Sequence, residues 1–240
     1  MANKRNQLFL YATETIPAMI WKDIALGYTN EIPKVLLATF KYNCSSESFR
    51  LNNNLFYLML QAGLTKIVNL YRSKTLSDFD KFVSFLEWYI DNMLISESMI
   101  IYAALLFGNV EGVRSPKNVN SKNYEDVVAG IDNQSWDLFY VSEWSSYFYN
   151  EDDDGVNFFA TDDKTLKYII VNIFPKNECL TNLSYIFQTK KQHKILTDLF
   201  ESELGANRVK PFETSDVDKG ITISKKLLEE ERAVLKEQCT

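Results

Sequence analysis

Phe158-Phe159-Ala160-Thr161-Asp162-Asp163-Lys164 reads as a short buried strand that stops at a pair of carboxylates. A helical stretch follows at once, Thr165 to Phe174, with apolar residues at Leu166, Ile169, Ile170 and Ile173. In an open α/β sheet, ligands bind outside the carboxyl ends of the strands. An acid at such a place does little for packing and is well placed to hold a metal. Taken alone, the motif is more simply an aspartate that caps the following helix. The rest of the chain moves the reading towards a site.

The chain has 240 residues, of which 46% are hydrophobic and 14% aromatic, enough to bury a full core in one enlarged domain or a domain with a helical annex. Twenty-six basic against 32 acidic residues give a net charge of −6, so a polyanion would have to meet a local basic patch rather than the whole surface. Cys44, Cys179 and Cys239 are far apart, odd in number and in no metal-binding spacing. They support neither a disulfide framework nor structural zinc, and a reducing cytoplasm is the expected compartment. The apolar stretch near the start is broken by Thr13, Glu14 and Pro17, unlike a signal peptide. The run from Met93 to Phe107 contains Glu97 and is too short to span a bilayer, so a soluble protein is expected.

Residues 8–45 read as two helical pieces broken near Asn30 to Pro33. Ser48-Phe49-Arg50-Leu51 reads as a short strand, followed by Asn52-Asn53-Asn54 and a helix carrying Leu55, Leu58, Leu64, Ile67 and Leu70. Residues 78–92 form an amphipathic helix, and another begins near Ser96. Residues 108–123, rich in Gly, Asn, Ser and Pro, form a loop. Helix returns from Tyr124 and again through Trp136 to Tyr149; Asn177 to Phe187 is strand or helix. A charged helix runs from about Asp216 to Gln238. The acidic run Glu151 to Asp154 lacks the alternating ligands and distal Glu of a calcium loop and reads as a solvated turn. Short strands between helices indicate an α/β fold with a parallel sheet. The expected division is a helical extension over 1–45, a main domain over 46–200 and a charged helical tail over 201–240.

Four polar stations follow in order: Asn52 after the first strand, Glu97 opening a helix, Asp137 inside one, and Asp163 after the late strand. Each alone is more simply structural, since a Glu in a first turn faces the helix dipole and a helical Asp is usually on the surface. In Leu51-Asn52-Asn53-Asn54-Leu55, Ile95-Ser96-Glu97, Trp136-Asp137-Leu138 and Thr161-Asp162-Asp163, however, the order resembles that of the PIN-domain ribonucleases. The resemblance covers roughly residues 47–190. It implies a three-layer α/β/α fold with a small central parallel sheet, and the four stations lining one pocket at its carboxyl edge. It also implies a metal-dependent endoribonuclease that cleaves single-stranded RNA, in a toxin or phage-defence setting.

The chain departs from the family at Asn52, where the family carries an aspartate. Asparagine keeps the shape and removes the charge that holds a cation. A natural pseudo-nuclease and a deliberately inactivated form are both open; the intact Glu97, Asp137 and Asp163 favour the second. By the resemblance, position 52 (as aspartate) and Asp163 bind Mg²⁺ or Mn²⁺ directly. Glu97 and Asp137 are ligands or water-positioning groups, Asp162 is an alternative ligand, and Thr161 orients the pair. Clustered carboxylates would take up protons without a cation, and a bound cation activates water and stabilises charge on a phosphate.

Lys164 and Lys167 flank the acids, and Lys190, Lys191, His193 and Lys194 form the densest basic cluster. All are candidates for RNA contact, against the plainer reading of a solvated helix face. His193 is the only histidine, which excludes a His-pair ribonuclease, and neither GxGxxG nor GxxxxGK[ST] occurs. The alternative function is a catalytically inactive interaction module that binds a protein partner or antitoxin through 1–45 or 216–238. A homo-oligomer is also open. A phosphotransfer domain fits less well, since its paired acids come early in the chain.

Overall fold

The helix Glu97–Phe107 is the axis of the fold, because every residue from Ser98 to Phe107 is buried. A helix that is apolar all round can only sit inside a core. The computed structural model describes residues 16–37, 54–147, 159, 161–173, 179–203 and 209–239. The chain divides into two compact units, Met1–Phe49 and Arg50–Thr240.

The first unit contains α1 (Ala18–Ala25) and α2 (Lys34–Leu37). Its α1 ends in a Schellman turn: Gly27 N–H bonds the Ile24 carbonyl at 3.0 Å, and Tyr28 N–H bonds the Asp23 carbonyl at 2.8 Å. Gly27 supplies the left-handed φ of 75° that this turn needs.

In the second unit, α3 (Leu55–Arg72) starts where the Asn54 side chain accepts Tyr57 N–H at 2.9 Å. Ser77 caps α4 (Asp78–Asn92) by accepting Asp80 N–H at 3.2 Å. The central α5 (Glu97–Phe107) follows, then α6 (Tyr124–Tyr147), α7 (Lys164–Ile173), α8 (Cys179–Ile186), α9 (Lys190–Glu203) and α10 (Val217–Gln238). Val127, Ile131, Leu138 and Val141 give α6 a buried stripe at helical spacing. The longest interface is that of α10 on α3, while α4, α6, α7 and α8 pack around α5. Helix α6 also packs on α3, and its Asp132 accepts from Gln61 of α3 at 2.7 Å and pairs with Arg232 of α10 at 3.4 Å. Burying Leu227, Leu228 and Leu235 of α10 contributes about 1.5–3 kcal/mol per side chain over leaving it in water. The charged segment 201–240 therefore carries a core-facing helix.

The expected parallel sheet is a correction. No strand occurs among the described residues, and the architecture there is all-α. The expected first strand, Ser48 to Leu51, lies outside them, as do Phe158 and Ala160 of the late one. Phe159 is half-buried, its ring 5.4 Å from that of Trp144, and belongs to no regular element. Thr161 to Asp163 form the turn that starts α7: Thr161 Oγ1 accepts Asp163 N–H at 3.1 Å, and Asp163 Oδ1 accepts Leu166 N–H at 3.1 Å. A short apolar run cannot be told from such an approach by periodicity alone. The capping reading of Asp163 describes its hydrogen bonds.

The 108–123 loop is pinned from several sides. Arg72 donates to the carbonyls of Val119 (2.8 Å) and Ser121 (2.9 Å), and to that of Gln238 (2.7 Å) at the end of α10. Gly130 of α6 lies so close to the Lys117 carbonyl that a Cβ would not fit. One helix therefore carries both this contact and, two turns on, Asp137.

Candidate functional site

Tyr102 is the polar centre of the buried helix α5 and is fully covered. Its hydroxyl donates to the Arg114 carbonyl at 3.1 Å. Burial pushes the phenol well above its ordinary range, and the negative charges of Asp163 and Asp137, after a contribution from Tyr71, push it further. Tyr102 thus senses an aspartate from the middle of α6 and another from the start of α7.

Asp137 and Asp163 also act on each other. Asp137 is half-buried beside the fully buried Leu138, and its carboxyl lies above the ordinary range. Burial is the main cause and repulsion from Asp163 the second, while the Lys117 cation works in the opposite direction. A partly buried acid raised by a second carboxylate, with the Lys117 cation working against the shift, is a place where added positive charge is favoured.

The other expected residues stand elsewhere. Glu97 opens α5 on the exposed side; its carboxyl is raised by partial burial alone, with no contribution from either aspartate. It is five residues from Tyr102, about 7.5 Å along the helix axis. Asp162 points into solvent and pairs with Lys167 at 3.2 Å. Thr161 spends its hydroxyl oxygen on the capping turn. Lys164 is exposed at the first position of α7. Lys190 and Lys191 are exposed at the start of α9, which packs on α4 and α8; His193 of the same helix meets the Ser184 carbonyl at 3.2 Å. Asn52 lies outside the described residues. Two residues on, the helix that Asn54 caps packs on the Asp137 turn of α6, with Tyr57 and Trp136 rings 5.1 Å apart and Phe56 and Phe139 rings 5.8 Å apart.

Of the expected acids, Asp137 and Asp163 are the two that act on each other's surroundings electrostatically, and Glu97 and Asp162 stand outside that pair. Among the described residues no three His, Cys, Asp or Glu side chains converge on one point. Two carboxylates still suit Mg²⁺, which is commonly held by one or two of them plus water and substrate phosphates. Asp163 has one oxygen engaged by the Leu166 N–H and the other free of that bond.

Sequence reasoning missed Tyr102, Arg114 and Lys117. Tyr102 carries the one hydroxyl in the apolar run from Met99 to Phe107, and Arg114 and Lys117 are the only cations between 108 and 121. Those were the available signals. No described helix is long and apolar enough to cross a membrane. No protein-family model matches the chain, and no curated protein or solved structure matches it.

Proposed function

We propose that this chain is a metal-dependent endoribonuclease acting on single-stranded RNA in the cytoplasm, with Asp137 and Asp163 as the residues that hold Mg²⁺ or Mn²⁺. The observation that carries the reading is the charge repulsion of Asp163 on Asp137, both of which also act on the buried Tyr102. The reading rests on this pair and on the order of acids in the chain, not on a shared sheet. A cation bound there supplies charge to stabilise a phosphate and lowers the pKa of a water. The residues of the chain supply the rest. Tyr102 and Thr165 hold the loop that carries Arg114 and Lys117 against the pair's surroundings. Lys117 offsets part of the negative charge at Asp137. Single strands are favoured because one phosphate must enter a recessed acidic site, which a stiff duplex resists.

Asn52 withholds one of the acids that this reading uses, so the chain as it stands should be weak or silent. The test is Asn52→Asp incubated with an RNA panel in Mg²⁺ and in Mn²⁺. Cleavage that EDTA abolishes and Asp163→Asn removes supports the reading. Intact RNA in both metals overturns it in favour of a non-catalytic module that binds a protein partner. That second reading draws on the outer face of α7, where Tyr168 and Val171 are exposed one turn apart.

A further inference from the structure

An open cleft of ≈ 310 Å³ lies at the end of α5, lined by Tyr71, Leu106, Asn109, Val110, Val113, Arg114 and Ser115. Its floor is built by the end of that helix. Asn109 takes the left-handed conformation (φ 53°), its N–H bonding the Leu106 carbonyl at 3.2 Å and Val110 N–H the Leu105 carbonyl at 3.1 Å. This Schellman turn sends the chain back across the helix end and turns Val110 and Val113 into an apolar wall beside Leu106. The lining also carries polar groups. Tyr71, Arg114 and Ser115 bring hydroxyl, guanidinium and hydroxyl groups, none of which has a hydrogen-bond partner among the described residues.

Arg114 is exposed, yet its backbone is fixed on both sides. Its carbonyl accepts from Tyr102 at 3.1 Å and its N–H donates to Thr165 Oγ1 at 3.0 Å, and both partners are buried. Such anchoring fixes where the side chain starts, and an arginine held this way loses less entropy when it grips a ligand. An unpaired guanidinium offers a planar fork of donors that matches an oxyanion.

We propose that this cleft binds a phosphate monoester, with Arg114 gripping the phosphate, the Tyr71 and Ser115 hydroxyls donating to it, and Leu106, Val110 and Val113 covering the apolar body of the ligand. Three separate donor groups suit the three terminal oxygens of a phosphate better than the two of a carboxylate. The inference does not rest on a metal at Asp137 and Asp163, and its test is run without one. In calorimetric titrations of the full chain in EDTA, phenyl phosphate and adenosine monophosphate bind, while adenosine and benzoate bind much more weakly. Arg114→Ala weakens the phosphate ligands by about tenfold or more, as expected for a lost hydrogen bond to a charged group. Arg114→Lys, which keeps the charge and loses the fork, falls between. Thermal denaturation of each variant is followed alongside, and Tyr71→Phe provides a second, weaker loss that leaves Arg114 in place. Absence of binding by either phosphate, unchanged affinity in Arg114→Ala, or benzoate binding as tightly as phenyl phosphate overturns the proposal.

Discussion

The Tyr102 hydroxyl and the Arg114 carbonyl, 3.1 Å apart, join the buried helix α5 to the loop over residues 108–123. The bond satisfies a fully buried phenol and holds the stretch between Asn109 and Lys117 in place. Tyr102→Phe removes the donor and leaves the ring, so the core keeps its volume. The expected cost is about 1 kcal/mol in urea denaturation. The same variant should loosen the loop, seen as faster amide exchange at Arg114 than in the parent, with little change in α3.

Asn69 and Glu231 form a second long-range tie, between α3 and α10. The Asn69 amide donates to the Glu231 carbonyl at 2.9 Å and to its Oε2 at 2.8 Å, while Lys66 Nζ meets Oε1 at 3.1 Å. Lys66 also lies over the Trp88 ring, 5.5 Å from its centroid. Asn69→Ala strands a buried carboxylate oxygen of Glu231, whose carbonyl keeps its bond within α10, at a cost of about 1–3 kcal/mol. Equilibrium unfolding measures the loss. Asn69→Asp should be worse than alanine, since it sets a like charge against Glu231.

The raised carboxyl of Asp137 fixes the sign of a pH effect. Its folded-state pKa lies above its unfolded value, so the native state binds the proton more tightly. That contribution to stability is complete below the unfolded pKa and is lost as pH rises through the folded one, from the ordinary carboxylate range upward. Asp137→Asn should therefore raise the melting temperature at neutral pH and flatten its fall between mildly acid and neutral solution. Part of the slope should remain, because Glu97 is raised by its own burial. A melting temperature at pH 7 equal to or below that of the parent would contradict the electrostatic account.

The helices α3, α4, α5, α7 and α10 were legible to within a residue or two where they could be bounded, because their signals are local. By contrast, α9 was not read as an element and α6 was read as two pieces. Ser77 before Asp78, Asn54 before Leu55 and Asp216 before Val217 are caps that accept the expected N–H groups. The apolar spacing of α3, α4 and α10 is unambiguous over many turns. The sheet was inferred from two segments of a few residues each, where an apolar run bounded by polar residues fits a strand, a loop or an approach to a helix. For Thr161 to Asp163 the hydrogen bonds of the capping turn decide it. Within the site, Asp137 and Asp163 were readable as acids in unusual places. Glu97 looked equivalent in sequence, yet five residues of helix separate it from Tyr102 and neither aspartate acts on its carboxyl. Tyr102 and Lys117 owe their roles to tertiary neighbours, Arg114 and Asp137, which no local pattern encodes.

Binding of Mn²⁺, followed by its enhancement of water proton relaxation, tests the central claim most directly. Asp163→Asn keeps a capping oxygen for Leu166 N–H and removes only the charge. Asp137→Asn removes the other charge at near-constant shape. The parent chain should bind one Mn²⁺ that Mg²⁺ displaces, and each substitution should weaken it by about tenfold or more, roughly 1.4 kcal/mol. Equal affinity in the parent and both variants, or no binding by the parent, would contradict the assignment of Asp137 and Asp163 as the metal-holding pair.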